Sequence, residues 1–274
     1  MTLSLPGPLL LVGCGNMAGA MLAGWLEAGA DPAQITVVRP SGAPVAGGVR
    51  VLKALPEDEV PAVVLLGVKP QKLDEVAPGL ARLLDPATIL VSILAGVETA
   101  ALRARFPAPR AIVRAMPNTP VALRKGVVDL YAEGADGEVR SKVEALMAAL
   151  GHAEWFEDET AFALAGHLTA AAPAFLYRFL DALAAAAAGL GLPREQAARL
   201  AARMAEGAAA LAAASGETPE ALARRVASPG GTTEAGLGML DAPDGLAPLV
   251  LRALDASRRR GMALAEAARS STEN

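Results

Sequence analysis

The sequence predicts an α/β protein whose first half is a doubly wound, mostly parallel sheet and whose second half is all helix. Three observations predict it. Up to about residue 157, short runs rich in Val, Ile and Leu alternate with helical patterns, as βαβ units require. Beyond that point β-branched runs vanish, and Ala, Leu, Glu and Arg dominate nearly to the end. Apolar residues make up 53% and charged residues 20% of the 274, ample for packed cores and contrary to disorder. A chain this long fits two linked domains better than one, and the change in composition divides it into 1–157 and 158–274.

In chain order, the strands expected are Leu9–Val12, Ile35–Val38, Val63–Val68, Thr88–Ile93, Ala111–Ala115 and Val127–Tyr131. Several are unbroken in branched aliphatics, as strands covered on both faces should be. Between them fit helices such as Met17–Ala28, stopped by Gly29, and Thr99–Arg105, with Pro107 just beyond. In the second half, breakers fall near Pro173, from Gly189 to Pro193, from Ser215 to Pro219, at Pro229-Gly230-Gly231 and from Pro243 to Gly245. The helices Asp181–Leu190, Arg194–Ala214 and Leu246–Ala268 are so Ala-rich that they must pack closely, and they leave a thin core that a partner subunit can complete.

Composition also excludes functions. A net charge of −4 and only 3% aromatic residues give neither a basic stripe nor stacking platforms, so no nucleic acid is expected. Cys14 is the lone cysteine and there are two histidines, so neither an internal disulfide nor a metal cluster is expected, and a reducing compartment fits. His152 and His167 read as structural or surface residues. The apolar run at Leu9 lacks a basic flank and follows Pro6-Gly7-Pro8, a poor signal peptide. The Ala-rich run after Asp181 is broken by Gly189 and Gly191, short of a membrane span. A cytoplasmic protein without membrane contact is expected.

Directly after the first strand, Val12-Gly13-Cys14-Gly15-Asn16-Met17-Ala18 gives the pattern G-x-G-x-x-A and opens the first helix. Gly13 permits the tight turn, Gly15 removes a Cβ that would block a pyrophosphate, and Ala18 lets helix meet sheet. The first-turn amides, from Asn16 and Met17 onward, then point at the phosphates with the positive end of the helix dipole. This is a Rossmann-type nucleotide site. An NAD enzyme places a carboxylate at the end of the second strand to bind the ribose 2′-hydroxyl. Here that end reads Val38-Arg39-Pro40-Ser41, where Arg39 can pair with a 2′-phosphate and Ser41 can hydrogen-bond it. NADPH is therefore expected, with NADH as the alternative.

Four more stretches carry chemistry: Val68-Lys69-Pro70-Gln71, Ser92-Ile93-Leu94-Ala95-Gly96, Arg114-Ala115-Met116-Pro117-Asn118-Thr119-Pro120 and Ser228-Pro229-Gly230-Gly231-Thr232-Thr233. The first and third lie where the strands starting at Val63 and Ala111 end, the edge at which open α/β sheets bind ligands. Val68, Lys69, Pro70 and Met116 are expected to wall the nicotinamide, and Asn118 to hydrogen-bond its carboxamide or ribose. Ser228 to Thr233 forms a turn with two glycines ahead of a helix, a nest of N–H groups suited to a carboxylate.

In order and spacing over nearly the whole chain, these motifs resemble the pyrroline-5-carboxylate reductase family. The resemblance implies NADPH-dependent reduction of 1-pyrroline-5-carboxylate to L-proline, the last step of proline biosynthesis, by a homodimer or higher homo-oligomer. It further implies that Ser228, Gly230, Gly231, Thr232 and Thr233 bind the substrate, with the Gly231, Thr232 and Thr233 amides holding its carboxylate. The Thr233 hydroxyl then reaches the ring nitrogen as the catalytic contact. No helix offers an obvious Lys or His for proton transfer, and a protonated imine needs less help: positioning suffices.

The chain departs from that pattern in two places. From Thr169 to Ala174 it reads Thr-Ala-Ala-Ala-Pro-Ala, where the family usually has Gly-Ser-Gly before the same Pro-Ala. The change removes a hydroxyl and adds methyl groups near the substrate or cofactor, so a reductase of a different cyclic imino acid stays open. Ala54 stands where Asn is usual, near the adenosine ribose. A non-catalytic NADP(H)-binding sensor is the rival from another class, and the intact Ser228–Thr233 motif argues against it.

Overall fold

The computed structural model describes residues 2–57 and 59–270. Its contacts group the chain into two units, one running to Ala171 and taking in the segment from Arg258 on, the other spanning Ala172–Ser257.

The first unit is built on eight strands: β1 (Leu9–Val12), β2 (Ile35–Val38), β3 (Arg50–Leu52), β4 (Val63–Leu66), β5 (Ile89–Ser92), β6 (Ala111–Pro117), β7 (Gly126–Tyr131) and β8 (Gly151–Phe156). Their order is β3-β2-β1-β4-β5-β6-β7-β8, parallel throughout except where β7 runs antiparallel to β6. The first six reproduce the doubly wound order of a dinucleotide-binding sheet, with its switch point between β1 and β4. Alternation along each strand sorts the aliphatics onto two faces. Leu9, Leu11, Val37, Leu65, Val91 and Val113 pack against α1 (Asn16–Glu27) and a later helix, Gly137–Ala148, through Met21, Trp25, Val143 and Met147. Leu10, Val12, Val64, Leu66, Leu90 and Ile112 pack against Leu73–Leu80 and Thr99–Arg105 through Leu80, Leu102 and Phe106. With α2 (Leu73–Leu80), α3 (Thr99–Arg105) and α4 (Gly137–Ala148), the layers are α1/α4, sheet, α2/α3. Buried Trp25 pins α1 to α4 by donating to the Leu146 carbonyl at 2.8 Å.

Two strands escape the sequence reading. β3 is only three residues long. On β8, His152 and Glu154 are exposed between half-buried neighbours, and such an edge strand has no continuous apolar run. α5 (Glu159–Gly166), N-capped by Asp158, belongs with the sheet, because Phe162 is buried beside Tyr131 and Phe156, with ring centroids 6.2 and 6.4 Å away.

Pro173 does not break the chain as expected. α5 continues through one π-helical turn, His167–Ala171, into α6 (Ala172–Gly189). By length and apolar composition alone the run Glu159–Gly189 is long enough to cross a membrane. In the second unit α6 and α7 (Arg194–Ser215) form an antiparallel pair whose interface is small: Ala184, Ala197 and Ala201 are buried, flanked by Ala187 and Leu192. Beyond them lie α8 (Pro219–Val226), capped by Thr218, α9 (Thr232–Leu240) and the start of α10 (Leu246–Ser270). Leu176, Phe179 and Leu183 on α6 make an exposed apolar stripe at helical spacing, as do Leu200, Met204 and Leu211 on α7.

Candidate active site

At the switch point, the Gly13 N–H donates to the Val38 carbonyl and the Gly67 N–H to the Val12 carbonyl, both at 2.9 Å, stitching the loop after β1 to its neighbours. Gly13 has φ +85°, and a Cβ there would lie 2.8 Å from the Gly67 carbonyl oxygen, so only glycine fits. Gly15 is the N-cap of α1 and provides no side-chain cap, and the first turn of α1 carries no acidic residue. The Asn16, Met17 and Ala18 amides therefore have no intrahelical acceptor. A Cβ on Gly15 would meet nothing within 4 Å, which leaves the space before these amides open. Ala18 is buried against Gly67, as close helix–sheet packing requires.

Beside this loop, Arg39 follows β2 and its Nε donates to the Ser41 hydroxyl at 3.1 Å. Burial raises the pKa of the Cys14 thiol, and the Arg39 charge pulls it partly back, so the guanidinium's field reaches the glycine loop. Lys69 is exposed after β4, opening a short 3-10 turn, Pro70–Lys72, with half-buried Val68 and Pro70 on either side. An uncapped helix N-terminus, a glycine facing open space and a cation beside a hydroxyl fit a dinucleotide diphosphate with a 2′-phosphate.

At the end of β6, Met116 is half-buried and presses on Gly166 of α5, where any Cβ would collide with its sulfur. Asn118 is buried: its Nδ2 donates to the Thr169 carbonyl at 3.0 Å and its Oδ1 accepts from the Val127 N–H at 2.9 Å. Much of the hydrogen-bonding capacity expected to serve a cofactor is thus engaged within the protein, joining β6 to β7 and to the π turn. The Thr169 hydroxyl in turn donates to Asp129 of β7, which is buried. Burial raises the pKa of the Asp129 carboxyl; the Thr169 hydrogen bond opposes the rise, Glu154 adds to it and His152 lowers it. Asp129 was invisible to sequence reading, because only the packing of the π turn on β7 buries it.

Beneath this edge, the Glu159 carboxylate accepts from the Thr99 N–H and hydroxyl, each at 2.8 Å, and from Arg114 at 2.7 Å. Arg114 is buried on β6, with its guanidinium 4.7 Å from the Phe162 ring centroid. His152 is exposed and lies 2.7 Å from Glu154, while burial, followed by the Arg258 charge, lowers the pKa of His167. Neither histidine is near the glycine loop in sequence or on its strands.

In the second unit, the turn before α9 is exposed from Ser228 to Gly230. Two expected donors are engaged within it. The Gly231 N–H donates to the Ser228 carbonyl at 2.9 Å, and the Gly230 N–H to the Glu234 carboxylate at 2.8 Å. Gly230 has φ +71°, and a Cβ on Gly231 would lie 2.9 Å from the Ser228 oxygen, so the two glycines shape the turn. The Thr232 and Thr233 amides, in the first turn of an α9 that Gly231 leaves without a side-chain cap, are free of intrahelical acceptors, and both side chains are exposed. The nest is shifted by one residue: the Gly231 amide is engaged, and the first-turn amides of Thr232, Thr233 and Glu234 stand free of helical acceptors beside the two threonine hydroxyls.

Comparison with known proteins adds a second line. The model described as "Pyrroline-5-carboxylate reductase dimerisation" matches residues 159–264, and "NADP oxidoreductase coenzyme F420-dependent" matches residues 9–96. A curated pyrroline-5-carboxylate reductase of Pseudomonas aeruginosa is 38% identical over 265 residues, covering 94% of this chain and 97% of that protein. The chain belongs to the pyrroline-5-carboxylate reductase family. A solved family structure from Coxiella burnetii superposes with a TM-score of 0.86 at 29% identity, over 94% of this chain and 98% of that one. The Plasmodium falciparum pyrroline carboxylate reductase, solved with NADP bound, shares the fold with a TM-score of 0.82 at 21% identity, over 96% of this chain and 100% of that one. The family's dimerisation match spans α5 to most of α10 and includes Ser228–Thr233; its nucleotide-domain partner spans β1 through Gly96.

Proposed function

We propose that this chain reduces 1-pyrroline-5-carboxylate to L-proline with NADPH, as the last step of proline biosynthesis in the cytoplasm. The observation that carries the reading is the 38% identity to a curated pyrroline-5-carboxylate reductase across nearly the full length of both proteins. The free thiol of Cys14 fits a reducing compartment.

Bound NADPH supplies the hydride. The residues of the chain bind and orient. Gly13 and Gly15 let the backbone approach the diphosphate, and the amides of Asn16, Met17 and Ala18 meet its charge at the helix N-terminus. Arg39 and Ser41 take the 2′-phosphate, and Val68, Lys69, Pro70 and Met116 border the nicotinamide end. Asn118 acts by holding the strand end and π turn in place as well as by any contact of its own. The Thr232 and Thr233 amides hold the substrate carboxylate, within the turn that Ser228, Gly230 and Gly231 shape. The Thr233 hydroxyl meets the ring nitrogen, orienting the imine carbon toward the hydride. Among the described residues no group of three or more His, Cys, Asp or Glu side chains is placed to hold a metal ion. We assign nucleotide binding to residues 1–157, and substrate binding and dimerisation to 158–274. The exposed stripes on α6 and α7 face a second copy of the chain; the match to the family's dimerisation model supports that occupant over lipid.

The test is NADPH oxidation by the purified chain with 1-pyrroline-5-carboxylate, with proline identified as product. Saturable turnover is the expected result. Turnover with six-membered cyclic imino acids alone would favour the second reading, which rests on Ala170–Ala172. NADPH binding without turnover of either substrate would favour a sensor.

A further inference from the structure

We infer that Lys53 is a second cation of the 2′-phosphate site and, with Arg39, sets the preference for the phosphorylated cofactor. The inference rests on the NADPH reading above. β3 and β2 run side by side with Leu52 opposite Val38, and the Arg39 N–H donates to the Leu52 carbonyl at 2.9 Å, so Lys53 and Arg39 leave adjacent strand ends together. The chain after β2 then turns through Gly42 at φ +61°, and the Lys53 stem lies on it. A Cβ on Gly42 would be 2.6 Å from Lys53 Cε and 3.0 Å from its Cγ. The glycine thus gives the stem of the exposed Lys53 room to lie against the turn that follows Arg39.

The pairing of charges points the same way. Several surface cations of this unit are matched to acids: Arg50 to Glu59, Lys72 to Glu75, Arg105 to Asp74, Arg110 to Asp136 and Glu138, Arg140 to Glu157 and Lys142 to Glu138. Among the described residues, Arg39, Lys53 and Lys69 have no acidic partner within ion-pair distance; Arg82, Arg103, Arg124 and Lys125 have none either, but Arg39, Lys53 and Lys69 are the ones that follow the carboxyl ends of neighbouring parallel strands. Taken in sheet order β3-β2-β1-β4, those ends present Lys53, Arg39, the glycine loop with its uncapped helix, and Lys69. Positive charge left uncompensated along one ligand-binding edge favours a polyanion there. Lys53 and Arg39, next to the Ser41 hydroxyl, stand at the end of that row where the ribose phosphate of a dinucleotide falls when its diphosphate sits on α1.

The test uses the full chain and binding alone. Affinities for adenosine 2′,5′-bisphosphate and for AMP are measured by titration calorimetry at several salt concentrations, for the wild type, Lys53→Met and Lys53→Arg. The expected result is that Lys53→Met weakens the bisphosphate about tenfold, flattens its salt dependence and leaves AMP within about twofold, while Lys53→Arg restores most of the loss. Equal affinity of Lys53→Met and wild type for the bisphosphate, in a wild type that prefers it to AMP, overturns the role of Lys53 and leaves the NADPH reading standing. A wild type with no preference for the bisphosphate overturns both.

Discussion

The Glu159→Ala substitution tests the frame that holds the sheet edge. Glu159 is the only acid bonded to Arg114 among the described residues, and it receives three hydrogen bonds at 2.7 to 2.8 Å. The Arg114 side chain is 6% exposed and that of Glu159 is 31% exposed. Removing one member of a fully buried pair costs about 3–5 kcal/mol, because the other charge is left without a partner. Two features reduce that here. Water reaches the vacated position through the exposed side of Glu159, and the Phe162 ring, 4.7 Å from the guanidinium, retains about 0.5–1 kcal/mol of cation–π attraction. Loss of the two Thr99 bonds adds about 1 kcal/mol each. The expected destabilisation is about 2–4 kcal/mol.

Urea unfolding followed by tryptophan fluorescence measures it, since both tryptophans, Trp25 and Trp155, lie in the first unit. Replacing both partners, as Arg114→Met with Glu159→Ala, should recover much of the loss, because the stranded charge goes too. The effect also depends on pH. Burial raises the pKa of the Glu159 carboxyl, but the Thr99 N–H and hydroxyl and the Arg114 guanidinium outweigh burial and hold it below the usual value. A depressed folded pKa gives stability that is present above the unfolded value, about 4.3, and is lost as pH falls through the folded one. The wild type and Glu159→Ala should therefore converge as pH falls below the unfolded value, about 4.3, and through the lower folded one. A loss under about 1 kcal/mol at pH 7, or a gap that persists in acid, would refute the anchoring role.

Three further outcomes are expected. If Thr233 binds the substrate as proposed, Thr233→Ala removes one hydrogen bond, so kcat/KM should fall about 10- to 100-fold with NADPH affinity unchanged; an equal loss of NADPH binding would count against the Ser228–Thr233 assignment. If Arg39 pairs with the 2′-phosphate as proposed, Arg39→Asp replaces a charge-assisted contact with repulsion, lowering kcat/KM for NADPH about 100-fold and sparing NADH; an unchanged preference would refute the phosphate role. Asp129→Asn should alter the pH dependence of unfolding. Because burial raises the Asp129 carboxyl, its folded form holds a proton that the unfolded chain has released, and stability is full below the unfolded pKa of about 3.9 and falls as pH rises toward the folded value. The variant should remove that fall, which approaches about 1.4 kcal/mol per pH unit within the window; parallel profiles would show that Asp129 does not titrate abnormally.

The parts of the fold that sequence reading finds are those whose signal is local. β1, β2 and α3 lie where the patterns put them, because a doubly covered strand must be aliphatic throughout and a helix end must have its breaker. Gly13 was legible for the same reason: at φ +85° it answers a constraint of its own backbone, whereas Gly15, extended at φ −81°, leaves open space before the helix. What stayed hidden depends on distant partners. β8 is a strand because β7 is beside it, not because His152 and Glu154 favour one. Glu159 and Arg114 are 45 residues apart, and neither flank announces the other. In the Ser228–Thr233 turn the residue types were readable, but the engagement of the Gly230 amide by Glu234 depends on how the turn closes.

Pro173 shows how a local rule fails for a physical reason. A proline in a helix lacks the N–H that would bond the carbonyl four residues back, here that of Thr169, and its ring crowds that carbonyl. The chain relieves the crowding by widening to a π turn over His167–Ala171, and the Asn118 side chain donates to the Thr169 carbonyl that proline leaves without its helical partner. The Thr169 hydroxyl then bonds Asp129, with the Ala165 carbonyl 3.1 Å away as the alternative acceptor. Alanine at 170, 171 and 172, in place of the usual Gly-Ser-Gly, favours helix by about 1 kcal/mol per glycine replaced, and an ordinary α-helix as readily as a π turn. The irregular geometry is therefore imposed by Asn118, Asp129 and Pro173 and does not arise from flexibility of the segment itself. The altered residues stiffen the approach to α6 while its shape is set from β6 and β7, which is how this chain can depart from the family's pattern at 170–172 and keep the family's fold.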